Sequence, residues 1–142
     1  MTLAPPPSSI VDDLLRRGLD EDLGTAGDLT SEAIFPSDHR SAGRIVARSA
    51  GTIAGLGIST RVFDLLDPAV VVEPAVLDGA TVAAGTTLAT VEGPTRAILI
   101  GERTCLNILG HLSGIATSTR GIVDAVGPGG PRIADTRKTT PG

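Results

Sequence analysis

At 142 residues the chain is long enough for one domain with its own core and too short for most two-domain enzymes; one domain plus an incomplete second unit is compatible with the length. Its hydrophobic fraction of 41% and charged fraction of 20% are those of a globular protein, but with no Trp, no Tyr and only Phe35 and Phe63 its packing must come from Leu, Ile, Val and Ala. The net charge of -4 and the lack of stacking aromatics argue against non-specific nucleic-acid binding, and no run of about 18 apolar residues marks a membrane span. The single cysteine, Cys105, permits no internal disulfide and fits a reducing compartment, as a small core residue rather than a nucleophile. No secretory leader pattern opens the chain, so the expected location is cytoplasmic.

Residues 1–7 end in Pro5-Pro6-Pro7 and read as a disordered lead-in. Ser8 or Ser9 then caps a helix whose apolar residues Ile10, Val11, Leu14, Leu15 and Leu19 follow helical spacing as far as Gly24. The stretch 24–31 is rich in turn formers, with Asp28 and Thr30 placed to cap or tie the turn. Residues 43–50 read as a strand, Thr52 to Ala54 as a second short one and Ser59 to Leu66 as a helix ended by Pro68. Residues 69–76 form the next strand, followed by a turn at Asp78-Gly79, a turn at Ala84-Gly85 and a strand from Thr86 to Glu92. Pro94 opens a long helix that runs to His111, with a loosening at Ser113-Gly114 and a continuation to Val126. After the linker Gly127-Pro128-Gly129-Gly130-Pro131, Arg132 to Asp135 begins a new strand.

On the long helix, a turn of about 100° per residue gathers Ile98, Cys105, Leu109, Leu112 and Ala116 on one face and Arg103, Asn107, Gly110 and Gly114 on the opposite one. Ile100 and Ile108 extend the apolar surface, so the helix is expected to be buried round most of its circumference. Glu102 lies near the apolar face, where a carboxylate needs a partner; it is either a structural anchor or an orienting group for a cation. Arg103 is either an ordinary helical arginine, paired with an acid, or a ligand-binding group favoured by the small residues beside it. His111 has no second ligand at helical spacing and reads as a partly exposed side chain. Asp20-Glu21-Asp22 might suggest a metal site, but three adjacent acids at a helix end diverge, which favours a solvated turn or a structural hydrogen bond.

The last eight residues, Asp135-Thr136-Arg137-Lys138-Thr139-Thr140-Pro141-Gly142, contain the only lysine, an arginine and three threonines. Such a cluster is either a solvated tail or a set of donors for a carboxylate or phosphate.

Four strings carry a resemblance. They are Gly18-Leu19-Asp20-Glu21-Asp22-Leu23-Gly24 with Gly27-Asp28-Leu29-Thr30-Ser31; Glu102-Arg103-Thr104-Cys105-Leu106-Asn107-Ile108-Leu109; His111-Leu112-Ser113-Gly114-Ile115-Ala116-Thr117; and the terminal octapeptide. In order and spacing, from residue 18 onward, the chain resembles the quinolinate phosphoribosyltransferases. The resemblance implies an α+β architecture, an N-terminal α/β sandwich over residues 1–116 with its connecting helix, then the first strand of a truncated α/β barrel within 117–142. It implies that the chain is the N-terminal half of a longer enzyme and is inactive alone. The implied reaction joins quinolinate to phosphoribosyl pyrophosphate with decarboxylation, giving nicotinate mononucleotide, pyrophosphate and carbon dioxide. Magnesium is the implied metal, with no ligands in this chain, and a homodimer with a site shared between subunits is the implied assembly. Arg48, Arg103, Thr136, Arg137 and Lys138 match substrate-binding positions, Lys138 with a catalytic role, and Arg48 and Arg103 reach the site from the neighbouring subunit. Two other readings remain: a molybdenum-transport-associated relative, and a biotinyl or lipoyl carrier suggested by residues 78–88. A carrier needs a lysine at its hairpin tip, and the only lysine is Lys138.

Overall fold

Val11, Leu15 and Leu19 recur every four residues, and in the computed structural model they form the buried side of the first helix, α1 (Ser8–Leu23). The structure describes residues 5–136 and 138; the start of the expected lead-in (1–4), Arg137 and residues 139–142 lie outside the described residues. The expected cap by Ser8 or Ser9 is not made. Pro7 takes the N-cap position, its carbonyl receiving the N–H groups of Ile10 and Val11, so both serines already lie within the first turn. Gly24, with φ of 54°, ends α1 as the sequence suggests.

The turn-rich stretch closes into a short helix, α2 (Leu29–Ile34), that the sequence reading did not contain. Six residues form too few internal bonds to hold a helix alone. Its ends are tied from outside: the Asp28 carboxylate receives the Ser31 N–H at 3.0 Å, and the Arg96 guanidinium donates to the Phe35 and Glu32 carbonyls. The second tie spans more than sixty residues, beyond the reach of local pattern.

Strands β1 (Arg40–Val46), β3 (Val71–Pro74) and β5 (Thr87–Pro94) form an antiparallel sheet in the order β1-β5-β3. Its register places Ile45, Ala89 and Pro74 in one row and Gly43, Val91 and Val72 in the next, all on the inner face. The row Arg44, Thr90, Glu73 faces solvent with opposite charges flanking the central strand. β1 starts and ends earlier than the expected 43–50, because the ladder breaks by a bulge at Ile45/Val46 and Ala47 turns to exchange bonds with the Gly85-Thr86 backbone. The next strand, β2 (Gly51–Thr52), is shorter than the expected Thr52 to Ala54 and pairs with β4 (Thr81–Val82).

Helices lie on the sheet's inner face, which is the α+β arrangement expected from the sequence. The helix α3 (Leu56–Leu66) buries Leu56, Ser59, Val62 and Phe63. Its first N–H groups are satisfied by the Asp78 carboxylate, which accepts from Gly55 at 2.8 Å and Leu56 at 3.0 Å. Arg61 donates to both oxygens of Asp12, joining α3 to α1 and holding the Asp12 carboxyl below its ordinary pKa. The helix α4 (Thr95–Val126) runs unbroken through Ser113-Gly114. Gly101 sits where any Cβ would meet the Phe63 ring at 2.8 Å, so α3 and α4 approach closely there.

Two expectations about α4 are corrected. Its burial is confined to a stripe through Thr95, Gly101, Thr104, Cys105 and Leu109, and nothing beyond Leu109 is buried. Beyond Leu109 the helix is touched along one side only, by the Gly55 backbone against Leu112 and by the β2 segment against Ser113 and Thr117. Glu102 is exposed rather than buried near the apolar face, because its position flanks the stripe and its side chain reaches water. The expected strand at Arg132 to Asp135 is not formed. Those residues are exposed and belong to neither sheet among the described residues, and a strand without a ladder partner has nowhere to place its backbone hydrogen bonds.

Cys105, 1% exposed, is the small core residue expected. Burial pushes its thiol up to about 11, the Ser59 hydroxyl working in the opposite direction. The folded thiol thus holds its proton more tightly than an unfolded one, whose ordinary value is 9.0. Stability from this group is complete below pH 9 and falls by on the order of 2–3 kcal/mol as pH rises to about 11. The expected result is no iodoacetamide labelling of the folded chain at pH 8 and rapid labelling in urea; mass spectrometry reads both.

Candidate functional site

Arg103 stands at the junction of α1, α2 and α4, on the exposed flank of the long helix. One of its terminal N–H groups donates to the Asp22 carboxylate at the end of α1. The Arg103 side chain is 72% exposed and the Asp22 side chain 20% exposed. Asp22 therefore has the structural hydrogen-bond role anticipated for the acidic run. An ion pair with so exposed a member contributes about 0–1 kcal/mol, which leaves the guanidinium open to a competing carboxylate. The contact engages one nitrogen, so the rest of the planar fork faces outward.

The space beyond Arg103 is a hollow of ≈ 550 Å³ bounded by Asp22, Thr30, Ser31, Leu99, Arg103 and Asn107. A second hollow of ≈ 540 Å³ opens on the α1 side and shares Asp22, Arg103 and Asn107 with it. Asp28 and Glu102 also line the first hollow. One guanidinium thus stands among three carboxylates. That balance suits capture of a single carboxylate and does not by itself hold a ligand carrying several negative charges.

Arg48 is exposed in the loop between β1 and β2. It opens on a third hollow of ≈ 500 Å³ with Leu106, Gly110, Ser113, Gly114 and Thr117. Leu106 lines both this hollow and that of Arg103. Arg103, Asn107, Gly110 and Gly114 advance by steps of four, three and four and form one strip of α4 between the two arginines. The structure brings Arg103 and Arg48 to this strip. The two glycines face open space, where an added Cβ would meet nothing within 4 Å, so the close approach they permit is not used by another part of this chain among the described residues.

Thr136 and Lys138 are exposed, outside any regular element, and border none of these three hollows; Arg137 lies outside the described residues. Two contributors went unnoticed in the sequence. Ser113 and Thr117 each bond to the β2 segment, Ser113 to Ala54 and Thr117 to Thr52. Two hydroxyls four apart on a helix were the available clue, but what they touch is set only by the fold. Among the described residues, no group of three or more His, Cys, Asp or Glu side chains could hold a metal ion. No described helix is long and apolar enough to cross a membrane.

Residues 28–113 match the family model described as "Quinolinate phosphoribosyl transferase, N-terminal domain". The chain belongs to the quinolinate phosphoribosyl transferase family. It is 43% identical over 137 residues to a probable nicotinate-nucleotide pyrophosphorylase [carboxylating] of Synechocystis sp., covering 96% of this chain and 46% of that relative. To the protein so named in Bacillus subtilis it is 46% identical over 122 residues, 86% of this chain and 42% of the other. The crystal structure of NadC from Streptococcus pyogenes superposes with a TM-score of 0.91 at 35% identity, covering 98% of this chain and 49% of that one. The chain thus spans about half the length of its relatives. The matched family segment contains Asp28, α2, Arg48 and Arg103.

Proposed function

We propose that the chain is the N-terminal part of an enzyme that transfers a phosphoribosyl group from phosphoribosyl pyrophosphate to quinolinate, with loss of carbon dioxide. The observation that carries this reading is the open fork of Arg103 at the mouth of a polar hollow, in a chain of this family. In the reaction the pyridine nitrogen bonds to C1 of the ribose as pyrophosphate departs. The bond from the ring to the 2-carboxylate then breaks, releasing carbon dioxide and leaving its electron pair on the ring carbon, which takes a proton to give nicotinate mononucleotide. Negative charge grows first on pyrophosphate and later on the ring, so fixed cations around both are what the chemistry needs.

In this reading Arg103 binds a quinolinate carboxylate and Arg48 approaches from the other end of the α4 strip. Thr136, Arg137 and Lys138 bind carboxylate and phosphate groups in a second copy of the site, Lys138 acting in catalysis, with a homodimer bringing the two sets together. Residues 1–116 form the first domain and 117–142 begin the second, at whose strand ends barrel sites are built. Magnesium, supplied with the pyrophosphate substrate, is held outside the described residues, and a cytoplasmic location completes the proposal. The molybdenum-transport-associated alternative is separated by whether quinolinate is consumed. The carrier reading gains nothing, since residues 83–86, which join β4 to β5, contain no lysine.

The test compares the 142-residue chain with the same segment in a polypeptide of the relatives' length. The longer protein is expected to release pyrophosphate and nicotinate mononucleotide in equal amounts from quinolinate. The 142-residue chain alone is expected to show no turnover, because it spans about half the length of its relatives and in this reading carries only part of the cation set that two polyanionic substrates need. Nicotinate mononucleotide formed by the short chain would refute the incomplete-site reading; a longer protein that ignores quinolinate would overturn the substrate assignment.

A further inference from the structure

We propose that Thr117 and Ser113 are positioning residues for Arg48, clamping its loop to α4 so that Arg48 and Arg103 address one pyridine dicarboxylate along the same strip. This rests on the assignment of both arginines to substrate binding. Among the described residues β2 has a strand partner, β4, on one edge only. On its other side the Thr52 N–H donates to Thr117 Oγ1 at 2.9 Å and the Ala54 N–H donates to Ser113 Oγ at 3.1 Å. The Thr117 hydroxyl in turn donates to the Ser113 carbonyl at 2.7 Å. Two hydroxyls one helical turn apart thus replace a missing strand. At Gly51 any Cβ would lie 2.8 Å from Thr117 Oγ1, so the loop backbone is seated directly against that hydroxyl.

The other end of the loop is anchored independently. The Ala47 N–H donates to the Thr86 carbonyl at 2.9 Å and the Gly85 N–H donates to the Ala47 carbonyl at 2.7 Å. Arg48 follows this anchor at once, and only Ser49, Ala50 and Gly51 separate it from Thr52. The Thr117 contact is therefore the nearer of two ties between the arginine-bearing loop and the helix that carries Arg103, the Ser113–Ala54 bond lying two residues further on. Without it the loop is held by the Ala47 anchor and the β2–β4 ladder, and to α4 only by the more distant Ser113–Ala54 bond, so Arg48 can shift relative to the strip. A misplacement on the order of 1 Å is enough to weaken a fixed charge contact severely.

The test is made in the complete enzyme carrying this segment. Thr117→Val keeps the shape of the side chain and removes both its donor and its acceptor. The expected result is a KM for quinolinate raised on the order of tenfold with kcat changed far less, and Thr117→Ser restoring the original value. In an Arg48→Ala background, Thr117→Val is expected to add nothing further, since both changes remove the same contact. A KM that does not move in Thr117→Val, or effects of the two substitutions that multiply, overturns the positioning role. If Arg48→Ala raises KM and Thr117→Val does not, the positioning role falls and the substrate-binding assignment stands. If Arg48→Ala leaves KM unchanged, the assignment of Arg48 falls and this inference with it. Should Thr117→Val fail to fold, Ser113→Ala is put through the same cycle with the same criteria.

Discussion

Arg103→Ala in the complete enzyme is expected to raise the KM for quinolinate by roughly 30- to 3,000-fold, the equivalent of ~2–5 kcal/mol for a truncated charge-assisted contact. The side chain is placed for ligand rather than for folding. It is 72% exposed and touches the fold through one bond to Asp22. Such a pair contributes about 1 kcal/mol at most, so the melting temperature should fall by no more than about 5 °C. Arg103→Lys keeps the charge but loses the planar fork, and is expected to recover only part of the affinity. Steady-state kinetics with quinolinate varied, alongside a thermal melt, separates the two effects. Unchanged kinetics would remove Arg103 from the site.

Leu15→Ala is expected to have the opposite signature, a loss of ~3–5 kcal/mol of stability and a melting temperature lower by roughly 10–20 °C. Leu15 is 0% exposed and lies between Val11 and Leu19 on the buried side of α1. Removing its isobutyl group loses the transfer free energy and leaves a cavity that α3 and α4 cannot close without moving. The same helix carries Ile10, 62% exposed, and Ile10→Ala should change stability by about 0.5 kcal/mol or less. Thermal melts followed by circular dichroism read the contrast, and equal shifts in the two variants would contradict the described docking of α1. α1 also delivers Asp22 to Arg103, so loosening this helix should disturb the site as well as the core.

These contrasting signatures show how far local pattern reaches. The fourfold spacing of Val11, Leu15 and Leu19 marks one helix face whatever packs on it. The alternation of Ala89, Val91 and Gly93 with Thr90 and Glu92 likewise marks a half-covered strand. By contrast, α2 exists because Arg96 and Asp28 tie its ends, and the first of those ties comes from far along the chain. Glu102 is exposed because it flanks the buried stripe of α4, and no residue of that helix beyond Leu109 is buried. Helical spacing shows which residues share a face, but it carries no information about whether a neighbour covers that face.

Within the candidate site the division is similar. Motif order and the arginine with its small neighbours mark the family and point to Arg103, because those residue types and spacings are local properties of the chain. Tertiary structure alone joins Arg103 to Asp22 across 81 positions and sets Thr117 against the loop of Arg48 across 65. It also counts three carboxylates round one guanidinium. The resemblance carried by the motifs thus implied the fold class and the chemical family, and periodicity marked the buried face of α1. Which side chains meet was decided by long-range packing, since a hydrogen bond needs its partners within about 3 Å and only the folded chain brings them there.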